Sequence, residues 1–127
     1  MSTITNRCAG GAVAMILFAL ASPVNSQSNA DADGAVSAGE KLFNVKCHDC
    51  HALDKRRVGP PLAGVSERRS PEWLKAWLQD PVTMATSDPV AIALKAEFQT
   101  QMPKLGLSKD EIELLLAFLK THPPPKP

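Results

Sequence analysis

Five consecutive residues carry the most specific chemistry in this chain: Cys47-His48-Asp49-Cys50-His51. Two cysteines two residues apart, followed at once by a histidine, have the spacing of covalent haem attachment. The chemistry explains the spacing. Two thiols that add to two vinyl groups of one porphyrin must share a short turn beneath neighbouring ring corners. The next residue then lies under the iron, where an imidazole serves as proximal ligand. On this reading Cys47 and Cys50 hold one haem c, and His51 binds its iron.

Other chemistries use the same residue types. A redox-active dithiol of the thioredoxin kind belongs beside a strand in a βαβ pattern, and no such pattern is visible. A structural zinc site needs four ligands, and beyond the cysteines only His48, His51 and His122 are available, with no second ligand pair. A disulfide across so short a loop would constrain the unfolded chain little. Within the motif, the His48 position faces away from the ring and reads as a surface histidine. His122 stands by a frayed terminus and is a poor ligand candidate.

An iron held by histidine on one side needs a partner on the other, and methionine is the usual soft one in electron-transfer haems. Met102 stands in the loop Gln101-Met102-Pro103-Lys104-Leu105-Gly106-Leu107-Ser108. A turn bounded by Pro103 and Gly106 is suited to aim a thioether. Met84 follows Asp80-Pro81 in a polar stretch and is the alternative; core filling is the competing reading for either methionine.

The elements that must position these groups are helical. A first helix is expected from about Ala35 to Lys46, with Val36, Gly39, Leu42 and Phe43 on one face. A second starts at Ser70-Pro71, carries Trp73, Leu74, Trp77 and Leu78, and stops at Asp80-Pro81. A shorter third runs from Asp88-Pro89 to about Phe98. A fourth opens with the capping box of Ser108 and Glu111 and carries the stripe Ile112, Leu115, Leu116 and Leu119. No stretch alternates with period two for long enough to form a strand, so the fold class is all-α, with three to five helices. Six aromatic residues, four Phe and two Trp, make a thin core for a domain of roughly 100 residues, a size that often leans on a bound group.

Residues 1–26 have the layout of a secretory signal: a polar start with Arg7, an apolar run from Ala12 to Ala21, then small residues at Val24-Asn25-Ser26. The run is too short to span a bilayer, so cleavage is expected, with no membrane span afterwards and the periplasm as the destination. Cys8 leaves with the signal and is not expected to carry a lipid. Residues 27–34 read as a flexible leader, 35–122 as the domain, and 123–127 as an extended proline-rich tail. The whole chain has 14 basic and 13 acidic residues, and Arg7 is the only charge in the signal. The remainder is formally neutral, which argues against a nucleic-acid partner.

Taken with these elements, the chain resembles the class I, mitochondrial-type c cytochromes over about Ala35 to Lys120. Gly39 and Phe43 resemble the first-helix pair that packs on the last helix, where Leu115 and Phe118 match. Cys47, Cys50 and His51 match the haem motif. Gly59-Pro60-Pro61-Leu62-Ala63-Gly64 is similar to the family's G-P-x-L-x-G loop, Trp77-Leu78-Gln79-Asp80-Pro81 to its aromatic-Leu-x-x-Pro run, and Met102-Pro103 to its methionine loop. The resemblance implies helices wrapped around one haem c and a Pro60 carbonyl that accepts from His51. It also implies Trp77 on the distal side and Met102 as axial ligand. The stretch from Pro81 to Met102 is longer than in compact members. Arg56, Arg57, Arg68, Arg69 and Trp73 are candidate partners of the haem propionates.

An iron closed by His51 and Met102 has no open position for a substrate, which suits one-electron transfer rather than catalysis. The expected protein is a periplasmic electron carrier, not an enzyme, acting as a monomer or in transient complexes with redox partner proteins. One alternative is the haem c subunit of a periplasmic oxidoreductase; another is a gas-binding haem sensor. Lys55, Arg56 and Arg57 suggest an acidic docking site on the partner.

Overall fold

The computed structural model describes residues 27–126. The expected signal, Cys8 included, and the last residue lie outside them. Six helices follow in order: α1 (Gln27–Lys46), α2 (Val65–Arg68), α3 (Pro71–Gln79), α4 (Pro81–Ser87), α5 (Pro89–Phe98) and α6 (Lys109–Lys120). No strand occurs among the described residues, so the fold is all-α.

Three helices begin by one device, an oxygen-bearing cap followed by proline at the first helical position. The Ser70 hydroxyl accepts from the Trp73 N–H at 3.2 Å. The Asp80 carboxylate accepts from Thr83 N–H at 3.2 Å and the Asp88 carboxylate from Ala91 N–H at 2.9 Å. Asp80 closes α3 and opens α4, and Asp88 closes α4 and opens α5. The chain therefore turns a corner at each aspartate without an intervening loop. α6 carries the full capping box: Ser108 accepts from Glu111 N–H, and the Glu111 carboxylate accepts from Ser108 N–H at 2.8 Å.

The helix count exceeds the expected three to five because two short helices were not foreseen. Asp80-Pro81 ends one helix as expected, but the same aspartate caps α4. α2 is a single turn with no buried residue, so no apolar periodicity announces it. The first helix also begins earlier than the expected Ala35: α1 runs back through residues 27–34 to Gln27. Small polar residues do not forbid a helix, and propagation from a packed stretch adds one bond per residue fixed.

α1 crosses α6 at Gly39. A Cβ there would collide with the Leu114 carbonyl and come within 2.8 Å of Phe118 Cβ. The crossing brings Phe43 to Phe118, with ring centres 5.4 Å apart. These two join Cys47, Leu115 and Leu119 in the central buried cluster. Burying each such Leu or Phe side chain contributes about 1.5–3 kcal/mol. α2 and α3 pack on α6, while α4 bridges α3 and α5. The proline-rich end has no helix, and its first residues are docked. Gly64 N–H donates to the His122 carbonyl at 2.7 Å, and Pro124 sits where a Cβ on Gly64 would be.

Candidate haem-binding site

The attachment motif is the turn into which α1 runs. Cys47 N–H still donates to Phe43 O at 2.8 Å, and Cys50 and His51 both donate to Cys47 O, at 3.1 and 2.9 Å. That closure puts the two thiols on one turn. Cys47 is buried and Cys50 exposed, and both line one cleft with His51. Burial, and then the neighbouring Cys50, pushes the Cys47 thiol up to about 11.

The following loop fixes the histidine. Gly59 N–H donates to Cys50 O at 2.8 Å, and the Arg57 guanidinium to His48 O at 2.6 Å. His51 Nδ1 then lies 2.9 Å from Pro60 O. A carbonyl only accepts, so the proton is on Nδ1 and the Nε2 lone pair is free for a metal. Gly59 makes room for the ring, since a Cβ there would lie 2.8 Å from His51 Nδ1.

The cleft holds about 1290 Å³, its open mouth included. Leu62, Val65, Leu74, Leu78, Leu94 and Leu115 give it apolar walls. The charged side chains on the lining are all basic: Arg68, Arg69 and Lys95. Two thiols, an imidazole with a free nitrogen, apolar walls and basic charge suit a haem, which is a flat apolar ring with two carboxylates. The residues fit the group.

The distal residues come from two segments. Trp77 lines the cleft, and its ring stacks on that of Trp73 at 5.5 Å and 12°. Gln101, Met102 and Pro103 line it as well. The Gln101 amide donates to Met102 O at 3.0 Å and to Pro81 O at 3.4 Å. Lys104 reaches Asp80 at 3.5 Å. The Asp80 carboxyl lies below its ordinary value, foremost through the Thr83 N–H, with a smaller pull from Lys104. These ties join the methionine loop to the start of α4. Met84, on α4, is not part of the lining.

Among the propionate candidates, Arg68, Arg69 and Trp73 face the cleft; Arg56 and Arg57 do not. The two basic neighbours have separate tasks. Arg57 is bonded to the attachment turn, while Arg56 lies over the Phe98 ring at 4.1 Å. Phe98, Leu94 and Lys95 of α5 also line the cleft. The sequence named α5 as a helix without giving it a place at the site, and contacts between residues so far apart in the chain leave no local pattern. His48 is exposed, and His122 lies away from the cleft with Nδ1 3.0 Å from Phe118 O.

The family model described as Cytochrome c matches residues 36–123. The chain belongs to the cytochrome c family. The solved cytochrome c from Rhodothermus marinus is 34% identical, with a TM-score of 0.69, over 70% of this chain and 77% of that one. The cytochrome c domain of a Pseudomonas putida protein is 32% identical, with a TM-score of 0.61, over 65% of this chain and 85% of that one. A curated relative, cytochrome c of Sesamum indicum, is 45% identical over 40 residues, covering 29% of this chain and 36% of the sesame protein. The cytochrome c family is one of electron-transfer proteins rather than enzymes, and its cofactor is a covalently attached haem c. As a member, this chain has haem c as its cofactor. No described helix is long and apolar enough to cross a membrane.

Proposed function

We propose that this cytochrome c is a periplasmic one-electron carrier, with haem c attached at Cys47 and Cys50 and its iron bound by His51 and Met102. The observation that carries the reading is one cleft lined by both thiols, the His51 imidazole and the Met102 thioether, with His51 Nδ1 engaged by Pro60 O. When bound, the haem supplies a couple between ferric and ferrous iron. The residues of the chain do the rest. Pro60 holds the His51 ring in one tautomer and raises its donor strength. Gln101 fixes the backbone at Met102, so both ligands keep their places in either oxidation state. The leucine walls exclude water, which favours the less charged, reduced state, as does the thioether. Arg68 and Arg69 supply charge for the propionates.

The reading has a direct spectroscopic test. The alkaline pyridine spectrum should show haem bound through two thioether links, and the oxidised protein should show a methionine–iron charge-transfer band. A spectrum of unlinked haem, or the absence of that band, would sink it.

A second reading, a haem c subunit of a periplasmic oxidoreductase, draws support from exposed apolar side chains. Val58 by the cleft is 53% exposed, and Ile92 on α5 is 45% exposed. A persistent complex in gel filtration of native extract would favour it over the freely diffusing carrier.

A further inference from the structure

Arg56 reaches from the exposed loop behind the attachment turn to the end of α5. Its guanidinium carbon stands 4.1 Å from the centre of the Phe98 ring. One nitrogen donates to the Glu97 carbonyl at 3.2 Å, and another lies 3.7 Å from the Glu97 carboxylate. These contacts join two parts of the site that the chain order keeps apart. Arg57, the next residue, is bonded to His48 O inside the attachment turn. Phe98 lines the cleft, and so do Thr100, Gln101 and Met102 just beyond it.

On either side of Met102 the loop is tied to the start of α4 by Gln101 and Lys104; on the side of the attachment turn, the end of α5 is met by Arg56. α5 packs on α4 as its main helical neighbour among the described residues. Its cap, Gln99, has φ 50 in the left-handed region, where a residue other than glycine is strained. A left-handed residue directly before the methionine loop is a joint at which the chain can pivot if the end of α5 is released. Arg56 is placed to hold that end.

We propose that Arg56 is a positioning residue for Met102: by latching onto Phe98 and Glu97 it fixes the end of α5, and its release lets the methionine loop swing away from the iron. The proposal rests on the reading of Met102 as axial ligand. The cation over the aromatic face is the principal contact, because both members of the ion pair are more than half exposed, 56% and 60%, and exposed pairs contribute little. Arginine suits the role better than lysine, since its flat guanidinium stacks on a ring while also donating.

The test uses the ferric holoprotein with cyanide, which competes with the Met102 thioether for the sixth position without any change of oxidation state. Arg56→Gln should speed cyanide uptake about five-fold, the scale of one exposed cation–π contact. Amide hydrogen exchange at residues 98–102 should quicken by a similar factor. Phe98→Leu, which keeps an apolar lining, should do the same without altering charge. The double variant should go little further than either single one, because both remove the same contact. Arg56→Lys should restore part of the effect. Cyanide uptake and exchange both within roughly two-fold of the parent in Arg56→Gln, against the scale of one such contact, would overturn the latch. So would fully additive effects in the double variant. If Met102→Ala shows that Met102 is not the ligand, the functional reading fails on its own, and exchange at residues 98–102 still tests the latch.

Discussion

Gly59 lies against the His51 imidazole so closely that a methyl group there would be 2.8 Å from Nδ1 and 2.9 Å from Nε2. The glycine and the histidine are eight positions apart, yet the loop between them exists in this form only because residue 59 has no side chain. The same loop sets Pro60 O at 2.9 Å from Nδ1. Space for the ring and the bond that orients it are therefore one feature.

Gly59→Ala should separate them. The ring or the loop must shift, and the Pro60 bond lengthens or breaks. The overpacking cost is about 1–3 kcal/mol, measurable by denaturant unfolding of the holoprotein. The reduction potential should rise, because an imidazole without that acceptor is a weaker donor to ferric iron. Unchanged stability and potential would show that the loop has slack.

Gly39→Ala should be costly for a different reason. The atoms that a Cβ would meet belong to the backbone of Leu114 and the Cβ of Phe118, which have no flexible end to yield. α1 and α6 must move apart, again at about 1–3 kcal/mol. Gly34→Ala is the contrast. It sits in the same helix with nothing within 4 Å, so it should stabilise by about 0.5–1 kcal/mol through helix propensity alone. Thermal melts of the two variants should therefore shift in opposite directions.

Much of this was legible because local chemistry and global packing agree. Ser108 and Glu111 cap α6, and the stripe behind them supplies Ile112, Leu115 and Leu119, all buried. Ser70-Pro71 and Asp88-Pro89 start helices where the residue types predict. The motif Cys47-Cys50-His51 and the Gly59-Pro60 loop, both picked out by their residue types, lie along one cleft. What was missed has a physical cause in each case. Asp80-Pro81 carries both a stop and a start, and a periodic reading sees the stop. Gly64 turns with φ 71 into a helix of one turn, too short for any period. The Arg56 contact with Phe98 depends on how α5 folds back, and the residue types alone pointed Arg56 to a propionate or to a partner's acidic surface instead.

Met102→Ala should separate the two methionines. Met102 lines the cleft and Met84 does not. Loss of Met102 should lower the potential, abolish the charge-transfer band and let the reduced protein bind carbon monoxide, since a thioether raises potential and closes the sixth position. Met84→Ala should leave all three as they were. The opposite pattern would move the ligand to Met84, and no change in either variant would remove methionine from the site.

Asp88→Asn should flatten the response of stability to acid. The Asp88 carboxyl is held below its ordinary 3.8, foremost by the Ala91 N–H at 2.9 Å. The Trp73 indole N–H adds a smaller attraction without meeting it in hydrogen-bond geometry. A carboxylate whose folded value is depressed stabilises the fold fully above its unfolded value, near 3.8 here. That contribution fades as pH falls through the lower, folded value. Asparagine still caps a helix but does not titrate. The variant should therefore melt somewhat below the parent at neutral pH, and the gap should close as the pH drops below 3.8. Thermal melts across that range decide it. A gap that stays constant with pH would mean that the cap acts through its hydrogen bond alone and its charge contributes nothing.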